Sequence, residues 1–176
     1  AKGTFVSKPK ITQDFLQTLD SFNNEMRKKG LVPSTKILER EIVKSDEKVA
    51  KTLDLEPGTD VIKLTRLRFA DDEPIVFVIT YIPYSVCPAV MRRDLENESL
   101  YEIIEQECGR LISNAVRSLE CIAAGEFESK LLKVEKGSPI QYFESVVRLE
   151  DGTPVEYSLA KYRSDRSKFT FELKRG

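Results

Sequence analysis

The chain has 176 residues, enough for one domain with its own core. Its 28 Lys and Arg against 29 Asp and Glu leave a formal charge of −1, which argues against a nucleic-acid surface built on excess positive charge. With no histidine there is no imidazole base, no His-containing triad and no His-ligated metal.

Residues 1–10, AKGTFVSKPK, are short, basic and broken by Gly3 and Pro9, so they read as an arm outside any core. From Ile11 the pattern turns helical. Phe15, Leu19, Phe22 and Met26 recur on one helical face, a core-facing stripe, and Gly30 stops the helix. Thr35 to Lys44 alternates as a strand. Ser45 is placed to cap a short helix over Asp46 to Leu53.

Pro57-Gly58 marks a turn before a strand from Val61 to Phe69. Asp71-Asp72-Glu73-Pro74 reads as a hairpin turn, and Ile75 to Ile82 as the returning strand. Ser99-Leu100-Tyr101-Glu102 matches a capping box and opens a helix to Cys108, stopped by Gly109. Arg110 to Ile122 is strand-like and Glu126 to Val134 helical. Ile140 to Leu149 and Pro154 to Arg163 form a second hairpin around Glu150-Asp151-Gly152, with Phe169 to Leu173 as a final edge strand.

The second half echoes the first. A helix end, Gly58, a strand, ADDEPIV and a strand are followed some 80 positions later by a helix end, Gly137, a strand, EDGTPVE and a strand. Two such copies suit a pseudo-symmetric α+β domain, with two hairpins in one mostly antiparallel sheet and helices covering a face, and a cleft between the halves is a natural place for a small ligand.

Cys87, Cys108 and Cys121 are odd in number and show no C-x-x-C spacing. They read as small apolar residues of a protein from a reducing cytoplasm. No apolar run reaches the ~18 residues of a membrane span. There is no signal-peptide pattern, and a start at Ala1 suits a piece of a longer protein.

Arg66 and Arg68 lie two apart on a strand, so their side chains share a face. Paired guanidiniums suit a phosphate or carboxylate, each giving two parallel hydrogen bonds. The same spacing also suits a solvated face salt-bridged to glutamates. Arg163, Asp165 and Arg166 read as a structural charge network at a strand end, with Asp165 bridging an arginine.

In order and spacing, several landmarks resemble the effector (UTRA) domain of GntR-type bacterial repressors of the HutC subfamily. They are Ser21-Phe22, Gly30, Pro33, LTRLRFADDEP, Tyr81-Ile82-Pro83, Gly137-Ser138-Pro139 and DGTPVEYSLAKYRSDR. GTFVSKP, at Gly3 to Pro9, is similar to the tip of the winged-helix wing that precedes that domain. The resemblance divides the chain into 1–10, a remnant of wing and linker, and 11–176, the effector domain. It implies a chorismate-lyase-like fold, a homodimer, and operator DNA read by an upstream winged helix absent from this chain. It also implies a small anionic effector, a phosphorylated sugar, amino sugar or fructosamine-type phosphate, held by Arg66 and Arg68.

By the same resemblance Glu156 and Tyr162 line the effector cavity, and Ser113 places a hydroxyl near the anion. Ser21, Phe22 and Asn23 lie close to the ligand. Tyr157 alternates to the other side of its strand and reads as core. Many sugar-phosphate-sensing relatives carry an acid where this chain has Val78, so either the effector lacks the matching group or Glu120 or Glu144 supplies the carboxylate. No catalytic group, cofactor or metal is expected. The competing readings are a carboxylate sensor, a chorismate-lyase-like enzyme using Glu156 as its acid, and a dimerisation module whose cleft is filled by side chains such as Val78.

Overall fold

A computed structural model describes residues 8–14 and 21–175. Phe15 and Leu19 of the expected helical stripe, and most of the GTFVSKP arm, lie outside these residues. The chain runs β1 (Ile11–Gln13), α1 (Phe22–Lys28), β2 (Pro33–Lys44), α2 (Glu47–Thr52), β3 (Asp60–Ala70) and β4 (Glu73–Pro83). A 3-10 turn (Pro88–Met91) leads to α3 (Leu100–Cys108), β5 (Ile112–Ala123), α4 (Glu126–Leu132), β6 (Pro139–Leu149), β7 (Pro154–Arg163) and β8 (Ser167–Phe169).

Six strands form one antiparallel sheet in the order β2-β3-β4-β7-β6-β5. The duplication is visible in that order. Each half contributes three strands, and the halves join where β4 meets β7, Val78 opposite Ala160. The architecture is the α+β fold expected from the two hairpins.

The sheet's two faces carry different loads. On one, α2 packs Val49 and Leu53 against Tyr157 and Leu159 of β7. On the same face α4 packs Leu132 against Leu67 and Phe77 of β3 and β4. Each helix therefore covers strands of the other copy. Lys161 reaches Glu128 on α4 at 2.6 Å, and Tyr157 donates to Glu144 at 2.9 Å, tying this layer down. On the opposite face α3 buries Ile103 and Ile104 against Ile62, Leu64 and Val147. There α1 buries Phe22 and Met26 against Val76, Phe143 and Tyr162. A cavity remains between α1 and α3.

Several local expectations are corrected. Ile11–Gln13 is a strand, not the start of a helix, because it pairs in parallel with β8. Beyond Phe169 the chain is not strand, and Phe171 and Leu173 are exposed. Asp46, not Ser45, caps α2, its carboxylate accepting from Val49 N–H at 2.8 Å. Ser45 turns its hydroxyl to the Glu56 carbonyl. The first hairpin turn is Asp71-Asp72 alone, both with positive φ (48° and 61°). Glu73 and Pro74 already belong to β4, where a register shift at Arg68/Phe69 accommodates a proline that lacks a donor. Of the cysteines only Cys87 is fully buried, its thiol pushed up to about 11 by burial, whereas Cys121 is exposed.

Ser99 caps α3 and Gly109 ends it in the left-handed region, as the sequence predicts. At the strand end Arg163 grips Asp165 through two 2.8 Å hydrogen bonds, and both Arg163 and Arg166 reach Glu73.

Candidate functional site

The cavity floor is built by strand register. Two cross-strand rows run under it: Thr35, Arg68, Val76 and Tyr162, and beside them Arg66, Val78 and Ala160. A third adds Ser158, opposite Thr80. Glu156 enters one pleat further along β7. Because alternate residues of a strand share a face, Arg66 with Arg68, and Glu156 with Tyr162, all point into one space. Ser21, Phe22, Asn23 and Glu25 from α1 and its cap form one wall. Glu98, Ser99, Leu100 and Tyr101, at the start of α3, form the other. The enclosed volume is about 80 Å³, room for several waters.

The electrostatics are unusual for a protein interior. Arg66 is 4% exposed and Glu156 equally so. Arg66 donates to Thr80 Oγ1 at 3.2 Å. Its Nε, the Nε of Arg68 and Oε2 of Glu156 have no hydrogen-bond partner among the described residues. Burial, then the neighbouring Arg68 charge, push the Arg66 guanidinium down to about 9, still a cation at neutral pH. Burial also pushes Arg68 down. Glu156 is held above the ordinary carboxylate range by burial, against the opposing pull of Arg66 and Arg117. Burial raises both phenols, Tyr101 and Tyr162. Two cations side by side in a desolvated space, with donors unspent, make a receptor for negative charge.

Seven of the eight residues singled out from the sequence meet here: Arg66, Arg68, Glu156, Tyr162, Ser21, Phe22 and Asn23. Ser113 does not. It sits at the register shift between Ile112 and Asn114, where its hydroxyl donates to the Leu149 carbonyl at 3.1 Å. Neither Glu120 nor Glu144 replaces the acid missing at Val78. Glu120 is exposed on β5, and Glu144 is spent on Tyr157 and Lys48. Val78 lies in the floor beside Arg66 but leaves the cavity open.

Sequence reasoning missed Tyr101, Glu98 and Glu25. They arrive through helix packing, and only Glu25's place one turn beyond Ser21 hinted at a shared wall. It also missed Arg117, whose guanidinium reaches Tyr101 Oη at 3.5 Å and whose charge acts on Glu156 from β5 on the same sheet face. Among the described residues no three Cys, Asp or Glu side chains cluster as a metal would require. No helix of the described residues is long and apolar enough to cross a membrane.

The fold and cavity together present a small, desolvated pocket lined by two arginines and a glutamate. Residues 28–168 match the UTRA domain model. The chain is 32% identical over 174 residues to the HTH-type transcriptional repressor NagR of Bacillus subtilis, covering 99% of this chain and 71% of that protein. It is 26% identical to the mannosyl-D-glycerate transport/metabolism system repressor MngR of Escherichia coli, covering 98% and 71%. The crystal structure of PhnF from Mycobacterium smegmatis superposes with a TM-score of 0.88 at 22% identity, over 96% of this chain and 74% of that one, a likeness of fold.

The chain belongs to the UTRA-domain family, the effector domains of GntR-type transcriptional regulators. Its relatives are regulators, not enzymes, which sets aside the lyase reading.

Proposed function

We propose that this domain senses a small anionic metabolite, a phosphorylated sugar or amino sugar, and lowers the operator affinity of the regulator that carries it. The supporting observation is the pair of guanidiniums, on buried Arg66 and half-buried Arg68, with unspent Nε donors opening on one cavity. An unpaired buried donor is costly, and an anion between Arg66 and Arg68 removes that cost. Glu156 and Tyr162 supply an acceptor and a hydroxyl to a polyhydroxylated body, while Val76, Val78 and Phe22 give it apolar contact. Asn23 and Ser21 stand at the rim.

Occupancy acts on DNA only through a change in the equilibrium between two arrangements of paired DNA-reading domains. We read the assembly as a homodimer with an upstream winged helix. Strand β5, at the sheet edge, exposes Val116 and Leu119 near an unpaired backbone, and Leu111 just before it is exposed too, which suits a second copy. Its oligomeric state is measurable by sedimentation.

The ligand assignment is tested by thermal shift. Glucosamine 6-phosphate, glucose 6-phosphate and fructose 6-phosphate at millimolar concentration should raise the melting temperature, and the unphosphorylated sugars should not. A rise with glycerate or succinate alone would move the assignment to a carboxylate, the second ligand that paired guanidiniums accept.

A further inference from the structure

Glu25 faces two ways. It is 6% exposed on α1 and lines the effector cavity, and its charge is felt at Tyr162 on the cavity floor. Yet its carboxylate accepts the backbone N–H of Asp14, the residue that follows β1. Lys29 closes the arrangement, paired with both the Asp14 carboxylate and Glu25.

Strand β1 is a short element held at each end. At its start, Ile11 N–H donates to the Arg166 carbonyl at 2.7 Å, and the Arg166 guanidinium binds Glu73 at 2.8 Å and the Pro9 carbonyl. At its end Glu25 holds the Asp14 N–H and Lys29 the Asp14 carboxylate. Between them only three residues pair with β8. Docking is also costly. Gln13 is fully buried, and neither its amide nitrogen nor its oxygen has a partner among the described residues. The hydroxyl of Ser167, opposite Ile11, is buried and unpartnered too. Unsatisfied buried polar groups oppose the docked state. An element with few bonds and orphaned polar groups is suited to open locally while the sheet stays folded.

We propose that Glu25 is the coupling residue between the effector cavity and strand β1, and that an anion in the cavity loosens β1 by repelling the Glu25 carboxylate and so weakening its hold on Asp14. The inference rests on the proposed function in requiring a negative occupant. Negative charge beside Arg68 and Tyr162 repels the Glu25 carboxylate on the adjoining wall, so the docked state of β1 binds the occupant less well than the undocked state. By linkage, that difference is the coupling. Residues 8–10 lead directly into β1, so the change is delivered to the segment preceding the domain.

Amide exchange measured by NMR on the full chain tests this. Without any additive, Glu25→Ala should speed exchange at Ile11 to Asp14 at least tenfold relative to β3, β4 and β7, because the acceptor of the Asp14 N–H is gone even though Lys29 still pairs with the Asp14 carboxylate. Glu25→Gln keeps an acceptor for Asp14 N–H and should exchange within about twofold of wild type. Gln13→Met, which removes the orphaned amide, should slow β1 exchange. With saturating glucosamine 6-phosphate, β1 exchange should rise at least fivefold in wild type and stay flat in Glu25→Gln. Unchanged or slower β1 exchange in wild type, when a melting shift shows the probe bound, overturns the proposal. So does a Glu25→Ala variant whose β1 is as protected as wild type. If no melting shift occurs, the effector reading fails instead, and the Glu25→Ala arm alone decides whether Glu25 holds β1.

Discussion

The guanidinium of Arg68 lies over the ring of Phe22, its central carbon 5.2 Å from the ring centroid. A residue of the sheet floor is thereby fixed to the helix that walls the cavity. In a desolvated setting such a pair contributes up to ~2 kcal/mol. The ring also orients the guanidinium, since the Nε of Arg68 has no hydrogen-bond partner among the described residues to do so.

Phe22→Leu should keep most of the apolar fill and lose the ring face, destabilising the domain by ~1–3 kcal/mol. A double-mutant cycle with Arg68→Met, read by urea denaturation, should give a coupling of about 1 kcal/mol. Additive effects of the two changes would show that the ring does not hold the arginine.

Arg66→Met should separate function from stability. Arg66→Met ends the repulsion between two neighbouring guanidiniums but also removes a cation that acts on Glu156 and a donor to Thr80, so the two effects oppose and the free domain should still fold, with a melting temperature near that of wild type. The rise produced by glucosamine 6-phosphate should vanish, with affinity down about 30-fold or more, as expected when one partner of a buried charge contact is removed. A variant that still responds fully would assign the cavity another role.

Glu156 makes a prediction about pH. Its carboxyl sits above the usual value of 4.5 because burial outweighs the pull of Arg66 and Arg117. The folded chain thus holds that proton more tightly than the unfolded chain. This contribution to stability is complete below the unfolded value and is lost as pH climbs through the raised folded value. Glu156→Gln removes the dependence, so the stability of variant minus wild type should grow from pH 4 to pH 7. Denaturation curves across that range check the slope, and a difference that shrinks with pH contradicts the buried-carboxyl account.

Asp72 occupies the left-handed region at φ 61°, while its counterpart in the second hairpin is Gly152 at φ 87°. Asp72→Gly should relieve that conformation and raise stability by ~1 kcal/mol. Asp71 must be retained, because its carboxylate accepts Val32 N–H at 2.9 Å. A lower melting temperature for Asp72→Gly would mean that the side chain contributes more than its backbone costs.

What the sequence disclosed follows the physics of strands. In β3, β4, β6 and β7 one face meets one helical layer and the other face meets the second. Side-chain parity was therefore readable, and it placed Arg66 with Arg68, Glu156 with Tyr162, and Tyr157 on the other face. Ser113 was expected near the anion from the family resemblance alone, and it misses the cavity because it lies at a register shift in β5. Strand β1 was hidden because its partner lies more than 150 residues away and its three residues carry no period of their own. Tyr101 and Glu98 were hidden for a related reason. They read as the start of a capped helix, and nothing local says what that helix end will face. Arg117 was passed over because β5 is largely exposed and shows no clean alternation.

The crossed packing of α2 on β7 and α4 on β4 bears on how the duplicated chain can come apart. Each repeat's helix packs partly on the other repeat's strands, so an isolated repeat loses part of the cover of its apolar sheet surface. Cleaving the backbone near Gly109 should leave two fragments that are insoluble or unstructured singly and regain the native sheet only on mixing. The pair would then melt in one transition whose midpoint depends on fragment concentration.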